Sequence, residues 1–560
     1  MKLSRWWNIK ANFFPNQIEL VQINEYGEER VKEVYTKYPM YLIAKKLSTD
    51  EVIDNIKRDP KVSDIKVESW SLPPWYDKKA DIIRVELEYY LALNPLLKRW
   101  ELEGYLERVN VQPSSKTISL IENGVVLFEW DSEVSDPWSP RLSFPELKIA
   151  SITYDEKRVK LNFYALSCSR NRATNFIEME LHDERDLVGY LNECNIIILP
   201  KNLSEMIIDN AKNMRNKILI IDVRNPIDSI PGWMIIGRIS FTNLNEVASS
   251  SIGKLLTEIE AIEAYRRKMV VPNIRIYNEG WRNVDELLTY DSGGLIGIPE
   301  AGVYENVLQI DFSSLYPSII SKFNISPETI DRPNCRNRLH LNDAPHEVCV
   351  DFDGLVSSTL KKLIDLRSKI KEINGPFSKT MEKAVKWIMV ASFGYLGYRN
   401  ARFGNVGAYE LVIFISKKVM NKAIEISLKN GFNVLHYIVD SLFLQKFSKE
   451  LINDMDANRL LGEIEKGTGL KIKEEQRYKW IIFPKALNPI KSAAPNRYYG
   501  LTYDGELIVK GVKCEGIEGL KVNDSVLEEK MKKLLLKNSH PRKLCGEILF
   551  LLSKFSDKKP

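Results

Sequence analysis

Several things are scarce in this 560-residue chain, and each scarcity narrows what it can be. No apolar run reaches the roughly 20 residues that a bilayer-spanning helix requires, and the opening MKLSRWWNIK lacks the apolar core of a signal peptide. No membrane association is expected, and a cytoplasmic location is. Six cysteines dispersed over the chain exclude a disulfide-stapled secreted scaffold. Charge of one sign is not in large excess: the net charge of +5 is mild for a nucleic-acid binder, so basic residues must cluster if DNA is the partner. Glutamine, a thermolabile residue, occurs six times, which points to a high-temperature source.

What is present is a soluble, globular composition, 44% hydrophobic and 28% charged. The length exceeds what one core supports and predicts about three to five domains. The most informative strings are VLQIDFSSLYPSII, containing Asp311, and HYIVDSLF, containing Asp440. Each reads as an apolar strand that delivers one carboxylate to a sheet edge. A lone Asp at a strand end is more often a turn former or a helix N-cap. Two such acids from different strands suit Mg²⁺, a hard cation that takes a few carboxylates plus substrate phosphates. Two ions about 3.5–4 Å apart activate a hydroxyl and stabilise the leaving oxygen of a phosphoryl displacement. After Asp311 come two serines, an aromatic and the turn-setting Pro317, a context in which backbone N–H groups can meet a triphosphate.

DFSSLYPSIISKFNISPET (311–329) resembles motif A of the family B DNA polymerases, and HYIVDSLF (436–443) resembles a degraded motif C. Between them, KKLIDLRSKIKE (361–372) resembles the first fingers helix and KAVKWIMVASFGYLGYRNARFG (383–404) resembles motif B. Upstream, 251–273 and 290–306 resemble the approach to the palm, so the likeness runs collinearly over roughly residues 250 to 500. The resemblance implies that Asp311 and Asp440 hold two Mg²⁺ ions, with Mn²⁺ as a substitute, and that the Phe312 carbonyl completes the inner site. It implies that Ser314 and Leu315 offer backbone N–H groups to the nucleotide's phosphates and that Tyr316 excludes a 2′-hydroxyl. Arg367 and Lys386 would grip the triphosphate, the guanidinium through two oxygens and the lysine as a point charge or proton donor to pyrophosphate.

The departures are as specific as the matches. Where motif B reads Lys-x-x-x-Asn-Ser-x-Tyr-Gly, Lys386 is followed by Val390, Ala391, Phe393 and Gly394, so the nascent-pair pocket should be less polar and less discriminating. Where motif C reads Tyr-Gly-Asp-Thr-Asp-Ser, this chain has His436, Tyr437, Ile438, Val439, Asp440 and Ser441. The first acid is lost and the principal metal ligand is kept. Lys473 stands where relatives often have another nearby acid, with Glu474 and Glu475 beside it.

Full-length relatives carry an exonuclease built on Asp-x-Glu in one strand, because an i, i+2 pair shares a face. Here Asp155 and Glu156 are adjacent and would face opposite ways, and Asp222 is followed by Arg224. The expectation is an inactive, RNase H-like relic of that domain. Further on, Arg497 and Tyr498, after Asn496, resemble a duplex-contacting Lys-x-Tyr element. A basic cluster, Lys530, Lys532, Lys533, Lys537, Arg542 and Lys543, falls where the family has its thumb, although a solvated helix face would read the same way. Cys335 and Cys349 enclose His340 and His346, a ligand set that by residue type admits zinc. Related archaeal polymerases place a disulfide at this point, and free thiols are the third reading.

Together these imply an α/β multidomain right hand. Its parts would be an N-terminal domain (1–140), a degenerate exonuclease-like domain (141–285), palm (286–356 and 405–495), fingers (357–404) and a short thumb (496–560). The closest subgroup is the shortened crenarchaeal paralogue lacking a proofreading site. The expected activity is DNA-directed DNA polymerisation by a monomer on primer-template DNA with deoxynucleoside triphosphates, in repair or translesion synthesis. A short thumb makes fewer phosphate contacts and so a salt-sensitive grip, for which a sliding clamp could compensate. The alternatives are a polymerase relic that binds DNA or a replication partner without catalysis, and a metal-dependent nuclease. The nuclease would have no need of Tyr316 or a fingers lysine.

Overall fold

The computed structural model describes residues 5–510 apart from 90–94, 132–135, 143, 156–157, 168–173, 182–186, 202, 204, 224–225, 274–283, 286–292, 376, 486–492 and 494. It divides into two compact units, residues 1–280 with 320–409, and residues 281–319 with 410–560. Lys532 and Lys533, with the rest of the basic cluster beyond 510, lie outside the described residues, as does Glu156. Among the described residues, no helix is long and apolar enough to cross a membrane.

Among the described residues, the first unit contains three sheets of three or more strands, besides one two-stranded hairpin. Trp6–Phe14, Gln17–Asn24 and Glu29–Tyr35 form an antiparallel meander, and Val62–Leu72, Lys78–Leu87, Tyr38–Ala44 and Leu106–Val109 form a four-stranded antiparallel sheet in that spatial order. The third runs Thr174–Leu181, Arg158–Leu166, Leu147–Asp155, Ile196–Leu199, Ile218–Ile221. Its first three strands are antiparallel and its last two run parallel to Leu147–Asp155. The short, wholly buried IIIL of Ile196–Leu199 is what a parallel strand covered on both faces requires. Asp155 ends its strand, and Asp222 falls one residue past Ile218–Ile221 at φ 56°.

Two long helices, Leu355–Ile373 and Ser378–Leu396, form a hairpin in the same unit. Leu360, Leu363, Leu366 and Ile370 recur at three- and four-residue spacing on the buried face of the first, and Met381, Val385, Ile388, Met389, Ser392 and Leu396 on that of the second. The start of Leu355–Ile373 is held by the loop 324–329. Asn324 Oδ1 accepts the Gly354 N–H at 2.7 Å, Ser326 Oγ accepts the Ser357 N–H at 3.0 Å, and the Glu328 carboxylate accepts the Leu355 N–H. These are the donors that a helix N-terminus leaves without intrahelical partners. Gly354 is needed there because a Cβ would lie 2.4 Å from Ser326 Oγ.

Cys335 and Cys349 are joined as a disulfide beside the small hairpin of Arg338–Leu339 and Val348–Cys349. His346 Nδ1 lies 2.6 Å from Asp331 and His340 Nδ1 lies 2.9 Å from Glu347. The zinc reading of these four residues is therefore set aside: the sulfurs are bonded to each other and both imidazoles face carboxylates.

The second unit is built on one antiparallel sheet in the order Phe432–Ile438, Ser441–Lys446, Gly302–Phe312, Ile472–Phe483, Tyr498–Thr502, Leu507–Lys510. Its core is aromatic. Phe443 packs edge-on against Tyr498 at 5.1 Å and Phe483 at 5.9 Å, and the ring of His436 stacks on Phe443 at 5.5 Å. Burial lowers the His436 pKa to about 4, so this first residue of HYIVDSLF is a neutral packing imidazole.

Glu260, on the helix Ile252–Arg266, and Glu328 are both buried in the first unit. Burial raises Glu260 to about 8, and the charge of Glu328 pushes the same way. Burial also raises Glu328, against which the Leu355 N–H works. A carboxyl raised in the folded state makes the native protein bind protons more tightly than the unfolded chain. The stability it contributes is full below the ordinary glutamate value and is lost as pH climbs through about 8. Glu260→Gln removes that loss. In urea unfolding, its stability relative to the parent should rise by on the order of 3 kcal/mol between pH 5 and pH 9, and a pH-independent difference would contradict the assignment.

Candidate active site

The Gly302–Phe312 strand sits inside the sheet of the second unit, which is why Val307, Leu308, Gln309 and Ile310 form an unbroken buried run. Asp311 comes at its end, half-buried. Asp440 is not carried by a strand, as its apolar flanks suggest. It lies in the two-residue turn Val439–Asp440 between Phe432–Ile438 and Ser441–Lys446. Val439 adopts φ 54°, a left-handed conformation that lets the chain reverse tightly and that a β-branched residue rarely takes.

Backbone pairing fixes the two acids next to each other. Asp311 is opposite Ser441, and the Phe312 N–H donates to the Asp440 carbonyl at 2.8 Å. Ser441 Oγ donates to Asp311 Oδ2 at 2.7 Å and so orients that carboxylate. Ser314, at φ 52°, turns the chain from strand into the helix Leu315–Lys322, whose first N–H groups point out of its N-terminus. Tyr316 is half-buried in that first turn. Backbone at Gly294 packs against both Tyr316 and the turn: a Cβ there would lie 2.8 Å from the tyrosine hydroxyl and 3.1 Å from Val439 Cγ2. Phe312 is fully buried, so only its backbone is available for chemistry.

Carboxylates from Asp311 and Asp440 and the Phe312 carbonyl are hard oxygen donors, and the set fits a divalent cation. Among the described residues, no third carboxylate, histidine or thiolate gathers with either acid within 4.8 Å.

In the first unit, Arg367 and Lys386 lie on the two helices of the hairpin. Arg367 Nη2 donates to Glu382 Oε1 at 2.8 Å, and Lys371, one turn further on, lies 3.4 Å from the same oxygen. The Glu382 carboxyl is held low chiefly by the Arg367 hydrogen bond and the Lys371 charge, against the opposing effect of its burial. Lys386 is exposed, and around it Trp387 (56%) and Val390 (54%) present apolar surface to solvent. Ala391 is half-buried, and Phe393 is turned away onto Tyr409, with ring centroids 4.8 Å apart.

Tyr498 is not placed to contact DNA. It is 4% exposed, in the aromatic core, because its register puts it on the inner face of Tyr498–Thr502. Exposed Arg497 is the member of that pair that faces solvent. Sequence reasoning passed over Gly294, Lys371 and Glu382, and gave Ser441 no role although it sits at the motif's serine. Lys371 carried a signal, the i, i+4 spacing from Arg367; the packing of Gly294, the pairing of Glu382 and the bond from Ser441 to Asp311 are contacts that only folding reveals.

The family model for DNA polymerase family B matches residues 250–439, which include the Asp311 string and the helical hairpin and stop one residue before Asp440. DNA polymerase 2 of Saccharolobus solfataricus is 31% identical over 526 residues, covering 92% of this chain and 73% of that protein. A DNA polymerase of Pyrococcus glycovorans is 34% identical over 214 residues, 35% of this chain and 26% of its own length. The family B DNA polymerase from the hyperthermophilic archaeon Pyrobaculum calidifontis superposes with a TM-score of 0.70 at 16% identity, covering 99% of this chain and 86% of that one. That likeness in fold, joined to the Saccharolobus match over most of both sequences, establishes that this chain belongs to the family B DNA polymerases.

Proposed function

We propose that the chain is a DNA-directed DNA polymerase that adds deoxynucleotides to a primer 3′-hydroxyl, and that Asp311 and Asp440 are its catalytic carboxylates. The observation that carries this is their juxtaposition by backbone pairing, with a helix N-terminus opening four residues after Asp311. Divalent cations, Mg²⁺ or Mn²⁺ in its place, would supply activation of the hydroxyl and neutralisation of the leaving oxygen when held there. The primer oxygen forms a bond to the α-phosphorus as the bond to pyrophosphate breaks. Ser441 keeps Asp311 in one orientation through that step. Ser314 and Leu315 give backbone N–H groups to the phosphates, and Arg367, Lys371 and Lys386 are the cations for the triphosphate. Arg367 reaches that role by exchanging the Glu382 carboxylate for phosphate oxygens.

Tyr316, braced from behind by the Gly294 backbone, would meet the 2′ position of the sugar. Absence of proofreading is part of the reading, supported by Arg224 in place of an acid and by Asp222 falling past its strand. The exposed apolar surface at Trp387 and Val390 supports a tolerant pocket suited to damaged templates.

Primer extension with the four deoxynucleotides is expected for the parent and reduced roughly 10³-fold in Asp440→Ala. If neither protein extends the primer and both bind it, the chain is a DNA-binding relic. Tyr316→Ala should raise ribonucleotide insertion relative to deoxynucleotide by roughly 10–100-fold, and unchanged discrimination would remove Tyr316 from the sugar site. A mismatched primer should not be shortened with metal present. Shortening that co-purifies with the protein and survives both Asp155→Ala and Asp222→Ala would place an exonuclease elsewhere in the chain.

A further inference from the structure

The sheet of the second unit aligns four residues in one cross-strand row: Ile438 opposite Ser441, Ser441 opposite Asp311, and Asp311 opposite Lys473. Residues paired across an antiparallel ladder project to the same face. The row therefore has Asp311 as its one acid, with an apolar residue at one end and a lysine as its directly paired neighbour. Glu475 is the extra residue at the bulge beside this row, and the Lys473 ammonium contacts its carboxylate. Glu474 points the other way, to Arg477 at 2.7 Å. Asp311, Asp440 and Glu475 with Lys473 leave two negative charges, the charge of a single divalent cation. Lys473 is about half exposed, and a lysine stem is long enough to swing between Glu475 and the cross-strand Asp311.

We propose that Lys473 sets the cation occupancy of this site. Its ammonium supplies one positive charge beside Asp311, so that without nucleotide the acids hold one divalent cation, weakly, and a second is accommodated only together with the negative charge of a triphosphate. Glu475 modulates this by drawing the ammonium away from Asp311. The inference rests on the reading of Asp311 and Asp440 as cation ligands.

The test is titration of the full chain with Mn²⁺ alone, following free Mn²⁺ by electron paramagnetic resonance, in the parent, Lys473→Met, Lys473→Glu, Glu475→Gln and Asp440→Ala. Thermal melts establish that each variant is folded. The parent should bind one ion at this site. Affinity should rise about tenfold in Lys473→Met and further in Lys473→Glu, which should also gain a second ion. It should fall severalfold in Glu475→Gln. Asp440→Ala should abolish the site. If Asp440→Ala binds Mn²⁺ as the parent does, the metal reading of the two acids fails. If it loses the ion while both Lys473 variants match the parent, the role given to Lys473 fails and the metal reading stands.

Discussion

One backbone hydrogen bond, from the Phe312 N–H to the Asp440 carbonyl, determines whether this protein has a site at all. It closes the end of the ladder between Gly302–Phe312 and Ser441–Lys446 and puts Asp311 and Asp440 side by side. A strand that slipped by one residue would carry Asp311 to the opposite face and bring buried Ile310 to the site. Such a slip is resisted from both sides. Leu308, Ile310 and Phe312 are fully buried, Tyr478 donates to Gln309 at 2.8 Å, and bulges at Gln309/Ile310 and Val434/His436 lock the neighbouring registers. The unusual backbone at Val439 belongs to the same constraint, since the turn must be two residues long for Asp440 to meet Phe312.

The hairpin of Leu355–Ile373 and Ser378–Leu396 has its own anchor in the loop 324–329. Asn324 accepts from Gly354 and Ser357 while donating to the Cys349 and Phe352 carbonyls, so one side chain ties the disulfide-bonded hairpin to the start of the helix that carries Arg367. Glu328 joins this cap as a buried carboxyl close to Glu260. The loop is thus polar inside the protein because three backbone donors at the helix start are satisfied there, and desolvation of its acid is the associated cost.

The strand that ends near Asp311 and the two long helices were legible in the sequence because each lies in a contiguous string whose pattern is local. Apolar flanks identified the strands, and the resemblance to the family's fingers helix and motif B identified the helices. Tyr498 was misjudged for a physical reason: in RYYG either tyrosine can face the core, and the choice depends on pairing Tyr499 with Ile482 and Gly500 with Ile481, which no local pattern encodes. Asp440 read as a strand end because a two-residue turn leaves the apolar runs on both sides nearly continuous. The Glu260–Glu328 pair and the bond from Ser441 to Asp311 join residues 68 and 130 positions apart. Lys473 was visible as an oddity, but that it stands opposite Asp311 follows only from the register.

The site's two kinds of determinant are held in different ways, and this bears on how the chain departs from its family. The carboxylates are positioned by main-chain pairing, in which the exposed side chain of Lys473 takes no part. Groups that would judge the base pair are side chains on the exposed face of Ser378–Leu396, where Val390 and Trp387 face solvent and contribute little to the packing of the helix. Substitution there costs little stability, because exposed helix positions are usually within a few tenths of a kcal/mol of neutral. Polar groups at 390 and 391 can therefore be lost without disturbing Asp311 or Asp440. Side chains on the exposed helix face are what this architecture lets change first, while the juxtaposition of Asp311 and Asp440, held by the Phe312–Asp440 backbone bond, is what it conserves.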